Sequence, residues 1–293
     1  MPGYPIINLT RKDKTYPKLL SQIHQPPKML YYRGNISLFQ TPCLAVVGTR
    51  KLTPYGQEAT RFLVHDLIKA SCTIVSGLAL GIDAAAHTAA LEAGGNTIAV
   101  LGSGIDDESI YPRTNFNLAH KILNHNGLIV SEYPEGTKAQ HFTFPARNRI
   151  ISGLSRGVVV IEADRESGAL ITAQFALEQN RDVFAIPGSI FAPRSIGTNS
   201  LISKGAKAIL SAADILEEYA DLKINSNQSN FTISTQNSVE SKIIDILQNN
   251  GPTTLDVLIR TSGEDAASIL AATSLMELRG LITKVHNTFQ TKK

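Results

Sequence analysis

Short apolar segments alternate with helical segments through the first two-thirds of the chain. LAVVG at residues 44–48 is one such segment, and a helical pattern at residues 54–70 follows it. Strands that are apolar on both faces and separated by single helices are typical of a parallel sheet covered by helices on both sides. The sequence therefore predicts an α/β domain with a doubly wound parallel sheet, which binds ligands at the carboxyl ends of its strands. Strands are predicted at residues 44–48, 72–77, 96–104, 128–133, 157–163, 182–188 and 206–210.

Three further segments lie outside this alternation. Residues 1–40 are a lead-in segment rich in proline and tyrosine, which we expect to pack on the core. Residues 221–238 are rich in Asn, Ser, Gln and Thr, the composition of a linker. Residues 239–293 contain three amphipathic helical segments and then a strand-like alternation, which predicts a small winged-helix domain. The α/β domain is assigned to residues 41–220.

Several classes of protein do not fit the composition. No run approaches the roughly 18 apolar residues of a membrane span, and the N-terminus has no apolar signal-peptide core, so we expect a cytoplasmic protein without membrane contacts. Cys43 and Cys72 lie beside apolar segments and form no disulfide framework. A nicotinamide or flavin cofactor is not expected, because the turns GTRKLT and GSGIDD lack the G-x-G-x-x-G pattern.

Catalytic and metal-binding patterns are weak. The seven histidines form neither H-x-x-x-H nor H-E-x-x-H, so no metal site is predicted. Asp83 and His87 lie four residues apart and share a helix face. They could form a proton-transfer pair. The simpler interpretation is that Asp83 lies at the helix N-terminus and His87 packs beneath it.

A basic segment without Asp or Glu spans residues 138–156. It reads KAQHFTFPARNRIISGLSR and contains two Phe, a His and four cations, although the whole chain has a formal net charge of only +3. Cations neutralise phosphates and aromatic rings stack on bases, so the segment predicts binding of single-stranded nucleic acid. The alternative is an ordinary solvated loop with an amphipathic helix behind it. The four cations are Lys138, Arg147, Arg149 and Arg156.

Glycine and small polar residues follow the predicted strands. Gly48 follows the first strand, Gly77 follows the second, and Ser167-Gly168 begins a helix. Backbone amides at such turns, and the free N–H groups at helix N-termini, can approach phosphates closely. These turns therefore predict phosphate binding, although glycine at these positions could equally serve packing alone.

The helix after Pro145 presents its two arginines in different directions. Arg147 and Arg149 point about 200° apart at 3.6 residues per turn, so we expect one to face the ligand and the other to be structural. We favour Arg147 as the outward, phosphate-binding residue. Glu132 could be a buried base or could orient either arginine. Phe142 and Phe144 precede the helix and could pack as a hydrophobic staple or stack on a base.

Several motifs, in order, resemble the DNA-processing protein A (DprA/Smf) family of bacteria. They are VVGTR, SGLALGIDAAAH, GGNTIAVLGSGID followed by YP, LIVSEYP, FPARNRIISGLS, ESGALITAQFALEQNRDVFAIPG and GTNSLISKGA. The resemblance implies a Rossmann-like domain and a protein that is not an enzyme. Such a protein would bind and protect incoming single-stranded DNA, form a homodimer through this domain, and load the RecA recombinase during natural transformation.

The resemblance also implies which residues bind DNA. Arg50 of the G-[ST]-R turn would contact phosphate, as would a basic residue before the next motif helix, for which Lys138 and His141 are candidates. The R-N-R element begins at Arg147. The predicted single-stranded DNA-binding residues are Gly48, Arg50, Gly77, Lys138, His141, Phe142, Phe144, Arg147, Asn148, Arg149, Ser167, Gly168 and Asn199.

Two alternatives concern other activities. The phosphoribohydrolases that resemble lysine decarboxylases share the fold and contain P-G-G-x-G-T-x-x-E, whereas residues 165–173 read RESGALITA. A nucleotide-processing enzyme of that type is therefore the alternative function. In the winged-helix domain, the third helical segment contains Glu264, Asp265 and Glu277 against Arg279. Because phosphates would repel it, we predict that this domain contacts a protein.

Overall fold

The computed structural model describes residues 4–222, 238–278, 281–285 and 288–291. Contacts divide the chain into two compact units, Met1–Asn225 and Ser226–Lys293, and each unit has a hydrophobic core of its own. Most of the predicted linker 221–238 lies outside the described residues.

The first unit is built around one nine-stranded sheet. Numbered along the chain, its strands are β1 (Ile7–Thr10), β2 (Met29–Gly34), β3 (Cys43–Val47), β4 (Thr73–Ser76), β5 (Thr97–Leu101), β6 (Leu128–Ser131), β7 (Gly157–Val160), β8 (Asp182–Ala185) and β9 (Lys207–Ala208). In the sheet they lie in the order β1-β2-β6-β5-β4-β3-β7-β8-β9. Each pair of neighbouring strands in the part of the sheet that reads β6-β5-β4-β3-β7-β8-β9 is parallel. From β3 the chain winds outward to β6 and then returns to β7 on the other side of β3. The doubly wound parallel sheet is confirmed.

Helices cover both faces of this sheet. They are α1 (Lys18–Ser21), α2 (Pro54–Lys69), α3 (Ile82–Glu92), α4 (Phe116–Asn124), α5 (Thr143–Leu154), α6 (Gly168–Glu178), α7 (Ile196–Ser203) and α8 (Ala212–Leu216). Ala45 and Val47 of β3 pack in one core with α5 and α6, whereas Leu44 and Val46 pack in a second core with α2 and α3. The strand is apolar at consecutive positions because both of its faces are buried. No helix within the described ranges is both long and apolar enough to cross a membrane.

The lead-in segment contributes two strands that the sequence pattern did not indicate. β1 pairs with β2, and β2 pairs with β6, both antiparallel. Only Leu30 and Arg33 are buried in β2. The strand therefore lacks the continuous apolar pattern of the central strands, although it extends the same sheet.

The second unit has the predicted helices and β ribbon of a winged-helix domain. Its elements are α9 (Ser238–Asn250), β10 (Thr253–Thr254), α10 (Leu255–Ser262), α11 (Ala266–Leu278), β11 (Ile282–Val285) and β12 (Thr288–Thr291). The strands form an antiparallel sheet in the order β10-β12-β11. Ile243, Leu258, Ile269 and Phe289 are buried together between the helices and this sheet.

Candidate nucleic-acid interface

A cleft of about 600 Å³ lies at the carboxyl ends of the central strands. Its lining comes from the segments that follow β3, β4, β5, β6 and β7, on both sides of the point where the strand order reverses. The loops diverge at this point because successive helices go to opposite faces of the sheet, and a crevice is left between them. The cleft is therefore where the fold predicts a ligand site.

Arg50 and Lys51 bring exposed positive charge to the cleft from the turn between β3 and α2. The guanidinium carbon of Arg50 lies 5.2 Å from the centroid of the Phe144 ring, which is within cation–π range. A Cβ atom on Gly48 would come within 2.6 Å of the Ile82 side chain, so only glycine fits where this turn packs on α3. Neither cation pairs with a carboxylate in the described part of the chain.

Arg147 is buried and does not point outward. Its Nη1 donates a hydrogen bond to the carbonyl oxygen of Gly77 at 2.5 Å and another to that of Val100. Burial lowers the pKa of Arg147 to about 10, although the nearby carboxylate of Asp83 opposes this shift. The prediction that Arg147 faces outward to a phosphate is wrong, because Arg147 lies on the helix face that packs with Ile150 and Ile151 on the sheet.

Gly77 lies directly beneath this buried arginine. A Cβ atom there would come within 2.6 Å of the Arg147 guanidinium. The Gly77 N–H donates to Oδ2 of Asp83 at 3.1 Å, and its carbonyl accepts from Arg147. Gly77 is absent from the cleft lining. Its backbone groups bind Asp83 and Arg147, whereas Ala79 and Asp83 of the same segment after β4 do line the cleft. Contact of this turn with DNA remains a prediction.

Arg149 is held in place by Glu132. Its Nη2 donates to both carboxylate oxygens of Glu132 at 2.8 Å, and its Nε donates to the carbonyl of Gln25 at 3.1 Å. Glu132 therefore takes one of the two roles left open, the orienting partner of Arg149. Arg156 pairs with Asp221 at 2.7 Å. The charge of the 138–156 segment is thus largely neutralised or buried within the protein.

The other predicted residues divide between the cleft and the surface outside it. Lys138 and Phe142 are exposed outside the lining. Asn199 also lies outside it and forms two hydrogen bonds with the backbone of Gly188, at 3.0 and 3.2 Å. Seven other predicted residues line the cleft with Arg147, and their contacts with DNA remain predictions. They are Gly48, Arg50, His141, Phe144, Asn148, Ser167 and Gly168.

Four exposed charged or aromatic residues of the lining were not predicted from the sequence. Lys51 follows Arg50 directly, and Tyr111 belongs to the YP motif. The half-exposed Tyr111 ring lies 5.8 Å from that of Phe144, so two aromatic faces adjoin. Asp164 and Glu166 also line the cleft, ahead of the N-terminus of α6. The only sequence signal that could have identified these four residues is their position in or near the motifs.

Asp83 and His87 adopt the simpler of their two proposed arrangements. Asp83 is buried in the first turn of α3, and burial raises the pKa of its carboxyl. His87 is fully buried, with Nε2 accepting from the N–H of Leu78 at 3.3 Å and Nδ1 lying 2.7 Å from Oγ1 of Thr97. This network assigns the proton to Nδ1. Burial lowers the pKa of His87 to about 3.

This neutral histidine makes stability depend on pH. Its pKa rises from about 3 in the folded state to 6.5 on unfolding, so the unfolded chain binds the extra proton at intermediate pH. We expect the contribution of neutral His87 to the free energy of unfolding to be complete above pH 6.5. Below that pH it should be lost by about 1.4 kcal/mol per pH unit. Urea unfolding of the wild type and His87→Asn between pH 7 and pH 5 measures the difference. Equal pH dependence in the two proteins would contradict the assignment.

The sequence model of the family described as DNA recombination-mediator protein A matches residues 8–220, and that of the DprA winged helix domain matches residues 229–287. The chain belongs to the DNA recombination-mediator protein A (DprA/Smf) family. The resemblance seen in the motifs is thereby confirmed. Protein Smf of Synechocystis sp. is 50% identical over 212 residues, an alignment that covers 71% of this chain and only 52% of that relative.

Two solved DprA structures share the fold. DNA processing protein A from Streptococcus pneumoniae is 45% identical with a TM-score of 0.69, and the match covers 74% of this chain and 75% of that one. DNA processing protein A from Helicobacter pylori is 33% identical with a TM-score of 0.66, covering 75% of this chain and 98% of that one. The latter structure is described in terms of its single-stranded DNA binding mode.

Proposed function

We propose that this protein binds single-stranded DNA in the cleft at the strand ends and acts in DNA processing and recombination without catalysing a reaction. The observation that carries the proposal is the arrangement of Arg50, Phe144 and Tyr111. An exposed guanidinium lies 5.2 Å from one ring, and a second ring lies 5.8 Å from the first. The family and the single-stranded DNA binding described for the Helicobacter pylori relative support the same ligand.

A single strand suits this arrangement chemically. Its phosphates would lie along Arg50 and Lys51, and its unpaired bases would stack on Phe144 and Tyr111. Bases in a duplex are stacked on one another and cannot reach these rings. His141 and the turn at Ser167 and Gly168 would complete the contacts.

The finer parts of the proposal rest on the family. We infer that the protein protects incoming single strands, forms a homodimer through the Rossmann-like domain, and loads RecA, with the winged-helix domain contacting a protein partner. The non-enzymatic role is supported by Asp83 and His87, the strongest candidates for acid–base chemistry. Both are buried, and their polar atoms are engaged within the protein.

Titration of the full chain with a labelled single strand and the matching duplex, at several salt concentrations, tests the proposal. We expect tighter binding of the single strand. Log K should fall with log salt by about 0.7 per neutralised phosphate, giving a slope of about −1.4 if Arg50 and Lys51 each neutralise one. Equal or tighter binding of the duplex at matched salt would reject the cleft as a single-strand site.

Removal of the second unit should have little effect on DNA binding. A chain that ends at residue 225 keeps the whole cleft, and its cores contain no residue of the second unit. We therefore expect the truncated chain to bind single strands within about twofold of the full chain and with the same salt slope. Binding of duplex DNA by isolated residues 226–293 at physiological salt would instead assign a second DNA site to the winged-helix domain.

A further inference from the structure

We propose that Asp164 and Glu166 determine the specificity of the cleft by excluding duplex DNA. This inference rests on the proposed function, since it concerns how the same cleft discriminates between two forms of DNA. Both residues are exposed and line the cleft beside the cations and rings described above.

The carboxylates and the free cations occupy separate parts of the cleft. Arg50 and Lys51 follow β3 and lead into α2, which packs in one core of the sheet. Asp164 and Glu166 follow β7 and lead into α6, which packs in the core on the opposite face. The two segments therefore diverge and form different walls, one cationic and one anionic.

Local hydrogen bonds hold the backbone of the anionic wall, and its carboxylates have no counter-ion within the described ranges. Oδ1 of Asp164 accepts a hydrogen bond from the backbone N–H of Glu166 at 3.1 Å, and the carbonyl of Asp164 accepts from the N–H of Ser167 at 3.3 Å. Neither carboxylate forms an ion pair with a cation of the described residues. Arg165 lies between them in sequence but does not line the cleft.

The exposed charges of the lining therefore nearly balance. Arg50 and Lys51 oppose Asp164 and Glu166, so two exposed cations face two exposed anions. The buried lining charges of Asp83 and Arg147 also oppose each other. Such a cleft does not attract polyanions through net charge, so its preference among nucleic acids depends on where each charge lies.

A single strand and a duplex meet this charge arrangement differently. A single strand can place phosphates on the cationic wall and turn its bases toward the carboxylates. Each base has an N–H donor on its Watson–Crick edge, which is free only when the base is unpaired, and a carboxylate is an acceptor. A duplex has these donors paired, and the phosphates of its second strand would approach Asp164 and Glu166. Like-charge contact of this kind opposes binding of the wrong partner.

The double variant Asp164→Asn, Glu166→Gln tests this mechanism in the full chain. Affinity for a 20-base-pair duplex at low salt is expected to rise about tenfold, whereas affinity for the single strand changes less than about threefold. The control variant Glu58→Gln, Glu135→Gln removes the same charge from exposed positions outside the cleft and should leave the ratio of the two affinities unchanged. The single variant Glu166→Gln should give an intermediate ratio, and thermal melting checks that each variant is folded.

The outcomes separate this inference from the proposed function. If the wild type prefers single strands and the double variant keeps the same preference, the carboxylates do not set the specificity, and the proposed function stands. An equal change of ratio in the control variant would show that net charge acts, which also rejects the inference. If the wild type does not bind single strands at all, both the proposed function and the inference fail.

Discussion

Replacement of Arg147 by alanine is expected to lower the free energy of unfolding by about 3–5 kcal/mol, because two buried carbonyl groups lose their donor and a nearby buried carboxyl loses an opposing charge. Arg147 is 5% exposed, and its guanidinium donates hydrogen bonds to the carbonyls of Gly77 and Val100. Without it, both carbonyls lose a donor and the buried carboxyl of Asp83 loses the nearby cation that favours its ionised form. Urea unfolding at pH 7 measures the effect.

Two variants control for the loss of an arginine as such. Arg156→Ala breaks an exposed pair with Asp221 in the same segment and should cost only about 0–1 kcal/mol. Adding Asp83→Asn to Arg147→Ala should cost clearly less than the sum of the single effects, because the two groups interact. A loss below about 1 kcal/mol for Arg147→Ala, or strictly additive effects, would contradict a structural role for the buried pair.

Replacement of Arg50 by alanine is expected to weaken binding of single-stranded DNA about 10- to 150-fold while stability stays unchanged. The change removes a charge-assisted contact worth about 1.5–3 kcal/mol. Arg50 is exposed and contacts the Phe144 ring, and its side chain forms no hydrogen bond or ion pair with the described residues, so we expect the fold not to depend on it. Fluorescence anisotropy with a labelled oligonucleotide, together with thermal melting, measures both quantities.

Two further variants identify what Arg50 contributes. Arg50→Lys keeps the charge but loses the planar guanidinium, so it should bind with intermediate affinity. Arg61→Ala removes the same charge from an exposed position of α2 outside the cleft and should change affinity little. An intact melting curve with undiminished DNA binding by Arg50→Ala would remove this residue from the proposed site.

The candidate site was only partly predictable from the sequence. Arg50 and Phe144 were predicted to bind DNA because each lies in a motif at a strand end or helix start, and both line the cleft. The acid-free segment was a poorer guide. Arg147 binds backbone carbonyls, Arg149 binds Glu132, and Lys138 lies outside the cleft lining. A cation in the sequence is not a free cation in the fold, since its partners come from distant parts of the chain.

By itself, the sequence determined the order of elements, the doubly wound sheet, the winged-helix pattern and the family, because these depend on local periodicity and on motifs read along the chain. Only the tertiary structure decided that β2 extends the sheet, that Arg147 is buried beside Asp83, and that Asp164 and Glu166 face the cleft. These outcomes depend on which side chains meet across the carboxyl edge of the sheet. The local sequence pattern does not encode these contacts between distant segments. Burial and long-range pairing decide which charged side chains remain free to bind a ligand.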